Sequence, residues 1–242
     1  MDFTKNVGAP QLSVASIDER DLLFQSGRAV PLVGAMPGTR LQRLRLGFGW
    51  TTNSQAIQAF GMSFGKRRRR ANFDGVVHAI NVSAGRLGVA ATSNGDKENL
   101  DLFDGAFKHS LDDTSGAVSG DAHDNEWVEI DFGRMPTDIV GGVAMFDSAM
   151  DKPFSQVLSR AHCRVTDLDT NREMTVVRPQ ISTLGTNTML LLAFAREKQV
   201  FGGVEGYHPT NWVMQLFAKA ITTQGDAGLL ETSVSAIAQI GK

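Results

Sequence analysis

Residues 41–48 read LQRLRLGF. Leu44, Leu46 and Phe48 alternate with Arg43, Arg45 and Gly47, the period-two pattern of a strand with one buried face. The same kind of reading extends along the chain, to VVHAINV (76–82), WVEIDF (127–132), IVGGVAMF (139–146), AHCRVTDL (161–168), EMTVVRP (173–179), TMLLLAFAR (188–196) and QVFGGVEGY (199–207). Turn signals such as NGD, DDTSG and DLDTN punctuate them. Helical spacing is confined to a few stretches. SIDERDLLF near the start has a capping Ser16 with Glu19 at the capping-box offset. WVMQLFAKAI (212–221) places Trp212, Val213, Leu216, Phe217 and Ala220 on one helical stripe, and GLLETSVSAIAQI (228–240) is amphipathic in the same way. Many short strands with few helices predict a mainly β fold, a β-sandwich of two sheets. The expected organisation is an N-terminal arm at 1–29, a sandwich domain at 30–221 and an amphipathic tail at 222–242.

The chain has 242 residues and a formal net charge of -2. It is long enough to bury a substantial core, and its overall charge calls for no nucleic acid. Cys163 is the single cysteine, so no internal disulfide can form and a reducing compartment is expected. The first residues lack the basic and apolar blocks of a signal peptide. The longest apolar run, MLLLAFA at 189–195, is far shorter than the ~20 residues that span a bilayer. These features predict a cytoplasmic protein with no transmembrane segment.

The chemistry concentrates in HSLDDTSGAVSGDAHDNEWVEIDF (109–132). Asp112, Asp113, Asp121, Asp124 and Glu126 share a glycine- and serine-spaced segment with no lysine or arginine. Such a loop can bring carboxylates and backbone carbonyls together around calcium, which takes six to eight oxygen ligands, or it can be a solvated acidic loop. It is not an EF-hand, because no register fits that pattern. His109 and His123 lie in it, but no second histidine at metal spacing and no cysteine pair supports zinc. The basic run Lys66, Arg67, Arg68, Arg69 and Arg70 is a candidate for gripping an anion or a protein partner, and leaves a peripheral membrane contact open. No aromatic residues interleave with it, so sequence-specific nucleic-acid reading is not expected. GMSFG (61–65) matches the nucleophile-elbow pattern around Ser63, but KRRRR follows where a helix should begin. Cys163 sits in a strand-like run that fits a buried thiol. Catalysis is not expected.

The order of these motifs resembles the tellurium-resistance TerD family, bacterial stress proteins built on a calcium-binding β-sandwich. LRLGFGWTTN (44–53) and NFDGVVHAINV (72–82) stand where that family has its G-L-G-W-D and Asp-Leu-Asp strands. DGAFKHSLDDTSGAVSGDAHDNEWVEIDFGRMP (104–136) follows the order of its acidic segment. FSQVLSRAHCRVTDLDTNREM (154–174) and GVEGYHPTNWVMQLFAKA (203–220) resemble its later segments, so the likeness covers about residues 30–221. The resemblance implies that Asp74, Asp112, Asp113, Asp124, Asn125 and Glu126 line one or two calcium sites. Val76 stands in place of the second aspartate of Asp-Leu-Asp, and Thr51 in place of the aspartate after tryptophan. The acidic turn is also longer, with Asp121 in the extra piece. One site is therefore expected to be reduced, and Asp121 is a substitute ligand in the other. The function implied is non-enzymatic: a calcium-binding stress-response module acting through binding or assembly. The alternative is a structural protein with a degenerate site that self-associates, or docks on protein partners, through arm, tail and arginine loop.

Overall fold

The computed structural model describes residues 28–33, 39–52, 73–95, 97–113, 123–148, 153–179, 186–221 and 225–240. Most of the N-terminal arm, Ser63, the Lys66–Arg70 run and Asp121 lie outside the described residues. In chain order the first strands are β1 (Val30–Pro31), β2 (Arg43–Thr52), β3 (Phe73–Ser83), β4 (Arg86–Ser93), β5 (Asp101–Leu102) and β6 (Phe107–His109). They continue as β7 (Glu126–Asp131), β8 (Ile139–Ser148), β9 (Leu158–Asp167), β10 (Arg172–Val177), β11 (Thr188–Phe201) and β12 (Val204–Ala220). A single turn of helix, α1 (Phe154–Val157), precedes β9, and α2 (Gly225–Gln239) follows β12.

The strands form two antiparallel sheets, ordered β1-β12-β11-β8-β3-β4 and β10-β9-β2-β7-β6-β5. This is the two-sheet sandwich that the alternating pattern predicts. Leu44, Leu46, Phe48 and Trp50 of β2 point into the space between the sheets, as do Val128 and Ile130 of β7. An aromatic cluster fills part of that space. Phe146 lies 5.5 Å from Trp50, 6.0 Å from Phe73 and 5.5 Å from Phe154, ring centre to ring centre.

The two outer faces differ. Across the second sheet a row of outward residues runs Glu173, Thr166, Arg45, Glu129, Lys108, Asp101, each opposite the next on the neighbouring strand. Arg45 pairs with Glu129 and lies 5.2 Å from the centre of the Trp127 ring. Exposed pairs of this kind add little stability, but opposite charges alternate here from Arg45 through Glu129 and Lys108 to Asp101. The outer face of the first sheet is apolar instead. Val76, Ile80, Val140, Val143 and Met145 pack with Ala236, Ile237 and Ile240 of the α2 region, so a second core lies under the helix. Ser233 turns its hydroxyl onto the Leu229 carbonyl at 2.9 Å, which satisfies the polar group that this stripe buries.

Two local expectations are corrected. Residues 212–221 are not helical; 212–220 belong to β12. Trp212, Met214 and Leu216 face the inter-sheet core, while Val213 and Phe217 pack in the apolar layer on the other side. A strand buried on both faces loses its alternation, and periodicity then misleads. Phe217 and Ala218 both oppose Leu191, a bulge with Ala218 at φ 47°, which breaks the pattern further. QVFGGVEGY is likewise not one strand. Gly202 and Gly203, at φ 58° and 86°, form the two-residue turn of the β11–β12 hairpin. Positive φ at both central positions marks the hairpin turn that glycine supplies at least cost.

Candidate metal centre

The site is built on an unfinished strand edge. β8 pairs with β3 from Phe73 onward, but β4 joins the other side only at Val77. Gly75 therefore presents an N–H and a C=O with no strand among the described residues to meet them. Two side chains from the second sheet take the place of that strand. Gly75 N donates to Glu126 Oε2 at 2.9 Å, and His109 Nε2 lies 2.7 Å from Gly75 O. The far ends of both side chains hold the acidic segment. Asp113 N donates to Glu126 Oε1 at 3.1 Å, and His109 Nδ1 lies 2.7 Å from Ser110 O. A carbonyl only accepts, so the ring nitrogen that carries the proton is the donor to the carbonyl it faces. Position 75 must be glycine, because a Cβ there would run into the ring of Phe48.

This cross-bracing brings Asp74, Asp112 and Glu126 together, with one carboxylate oxygen of each within 4.8 Å of the others. Oxygens that share a calcium ion at about 2.3–2.6 Å lie at most about 5 Å apart, so the spacing suits one ion. Asp112 is exposed and Glu126 is wholly buried. Burial pushes the Glu126 carboxyl up, the Gly75 and Asp113 amides pull it back, and the charges of Asp74 and Asp112 push it up again, to about 8. Such a group holds a proton near neutral pH or takes a cation in its place. The donors are hard oxygens, and both nitrogens of the nearby His109 are turned to carbonyls. That set fits calcium better than zinc.

The other residues expected at the site have different partners. Asn125 accepts from Trp50 N at 2.9 Å and donates to Asp113 Oδ2 at 3.0 Å, which ties the acidic segment to β2. Asp124 lies over Gly47 on the outer side of the second sheet. Its Oδ1 is 3.1 Å from His162 Nε2 and accepts from Arg164 Nε at 3.2 Å. Burial pushes the Asp124 carboxyl up, but the bonds from His162 and Arg164 outweigh it and the net shift is downward. The structure thus separates Asp124 from the three converging carboxylates. His162 and Arg164 were not among the expected residues. Their signal was the glycine pair of LGFGW: Gly47 and Gly49 fall at successive outward positions, and the Asp124 and His162 side chains lie over them.

No family model matches the sequence, and no curated protein does. Solved structures do resemble the chain. SAV2460, a protein of unknown function, superimposes with a TM-score of 0.50 at 14% identity, covering 81% of this chain and 98% of its own. A homologue of the telluride resistance protein TerD from Streptomyces coelicolor A3(2) gives a TM-score of 0.48 at 15% identity, covering 71% of this chain and 89% of its own. What is shared is the fold. A sandwich of two antiparallel sheets is the architecture that the sequence leads one to expect. At such low identity the likeness does not reach the site.

Gly47→Ala tests the outer cluster. Its Cβ would overlap the Asp124 carboxylate, which His162 and Arg164 hold in place. The expected loss is about 1–2 kcal/mol in denaturant unfolding, with calcium affinity unchanged.

Proposed function

We propose that the chain is a non-enzymatic binding module that holds one calcium ion at Asp74, Asp112 and Glu126. In this reading it serves a stress response through binding or assembly, the role that the resemblance to TerD proteins implies. The observation that carries the proposal is the buried Glu126 carboxyl, pressed against two further carboxylates with oxygens within 4.8 Å. Calcium would supply the missing positive charge and hold β3 to the acidic segment, adding its binding free energy to the fold. The absence of catalysis is part of the same proposal. It is supported by Cys163, whose thiol is buried and pushed far above its ordinary value, so that the reactive thiolate does not form.

Calorimetric titration with calcium is the test, using wild type, Asp112→Ala and Asp124→Ala. Wild type is expected to bind one ion and Asp112→Ala to bind at least about tenfold more weakly, because a direct ligand is lost. Asp124→Ala is expected to keep its calcium affinity. A wild type silent at millimolar calcium would end this reading.

A second reading, an assembly protein that works without the ion, has its own observation. Val76 joins the apolar layer beneath α2, where the family pattern has a carboxylate. That layer has no place for a charge, so the helix and the valine go together. Under this reading sedimentation would show an oligomer whose mass does not change with calcium.

A further inference from the structure

His109 and Glu126 run between the same two segments. Each joins Gly75 on β3 to the acidic segment, Glu126 through the two amide N–H groups and His109 through the two carbonyls. Asp74 precedes Gly75, and Asp112 lies between Ser110 and Asp113. The two rungs therefore fix how far apart Asp74 and Asp112 can be. They are not equivalent, however. Glu126 is itself one of the converging carboxylates, so its grip changes when a cation arrives. His109 is 5% exposed, and both its nitrogens face backbone carbonyls rather than the carboxylates, so its rung does not involve the ion.

Resting on the calcium reading above, we propose that His109 is the positioning residue of this site: it holds Asp74 and Asp112 at ion-binding distance before the ion binds. Affinity then depends on His109 although the ring donates nothing to the ion. Groups that orient metal ligands in this way typically govern about 10–100-fold of metal affinity. Pre-arranged ligands also spare the ordering that binding would otherwise demand.

The experiment is calcium titration of the full chain as wild type, His109→Gln and His109→Ala, each checked by circular dichroism in calcium-free buffer. The alanine variant is repeated with millimolar imidazole, a free ring for the vacated space. His109→Ala is expected to bind calcium at least about tenfold more weakly. His109→Gln, which can reach one carbonyl, should fall between, and imidazole should recover part of the loss in the alanine variant. Rescue by the free ring separates positioning from a general loss of packing. If both variants bind like wild type, or if imidazole recovers nothing, the proposal is wrong. Loss of the fold in both variants without calcium would also overturn it, since His109 would then serve the fold alone. A wild type that binds no calcium overturns the reading beneath as well, so the two failures are distinguishable.

Discussion

In calcium-free buffer, the stability of this protein is expected to fall as the pH rises from about 5 to 8, and calcium is expected to restore it. The cause is Glu126, whose carboxyl stands at about 8 in the folded chain against an ordinary 4.5. Between those values the folded chain holds a proton that the unfolded chain has released. The stabilisation is complete below the unfolded value and disappears as the pH rises through the folded one. The slope is at most ~1.4 kcal/mol per pH unit, so the window spans a few kcal/mol. Asp124, with its carboxyl shifted down, acts in the opposite sense and at lower pH: its contribution is present above its unfolded value and is lost on acidification. The two do not cancel in this window.

Glu126→Gln isolates the effect. The amide cannot titrate, so its unfolding profile should stay flat where that of the wild type falls, and the difference between the curves belongs to residue 126. Calcium at a hundredfold excess over its dissociation constant adds about 2.7 kcal/mol. For a chain of this size that raises the midpoint of thermal unfolding by about 5–10 °C, most visibly near pH 8. Equal profiles for wild type and Glu126→Gln would mean that the buried carboxyl is not under the stress described.

The parts of the fold that were legible are those where one face of a strand meets water. LRLGF and WVEID show their alternation plainly, because arginine, glutamate and aspartate mark the outer positions of the second sheet. The first sheet is covered on both sides, so β8 reads as a continuous apolar run and β12 imitates a helix. At the site, the sequence singled out the acidic segment and the resemblance added Asp74. Neither could say which carboxylates converge. The chain bends at Asn125 just before β7 begins, so Asp124 and Glu126, two residues apart, end on opposite sides of the second sheet. Nor could spacing show that His109, read there as a poor zinc candidate, would turn both nitrogens to carbonyls. That geometry depends on where β4 stops, a tertiary fact with no local signature.

Gly75→Ala should produce the other large effect, because position 75 joins the site to the core. A Cβ there would overlap the ring of Phe48, which is wholly buried beneath it. The contact is with the body of the ring rather than a flexible tip, so either β3 or the second sheet must yield. The expected cost is ~3 kcal/mol, the upper end for overpacking. Calcium affinity should drop as well, since any outward shift of β3 carries the Gly75 N–H and C=O away from Glu126 and His109. A double-mutant cycle with Phe48→Leu identifies the cause. The smaller side chain leaves room for the methyl group, so the double variant should be more stable than the two single losses predict, by about 1 kcal/mol or more. If the losses simply add, the strain lies elsewhere on β3, and the Phe48 contact does not explain why the edge that carries the metal site requires glycine.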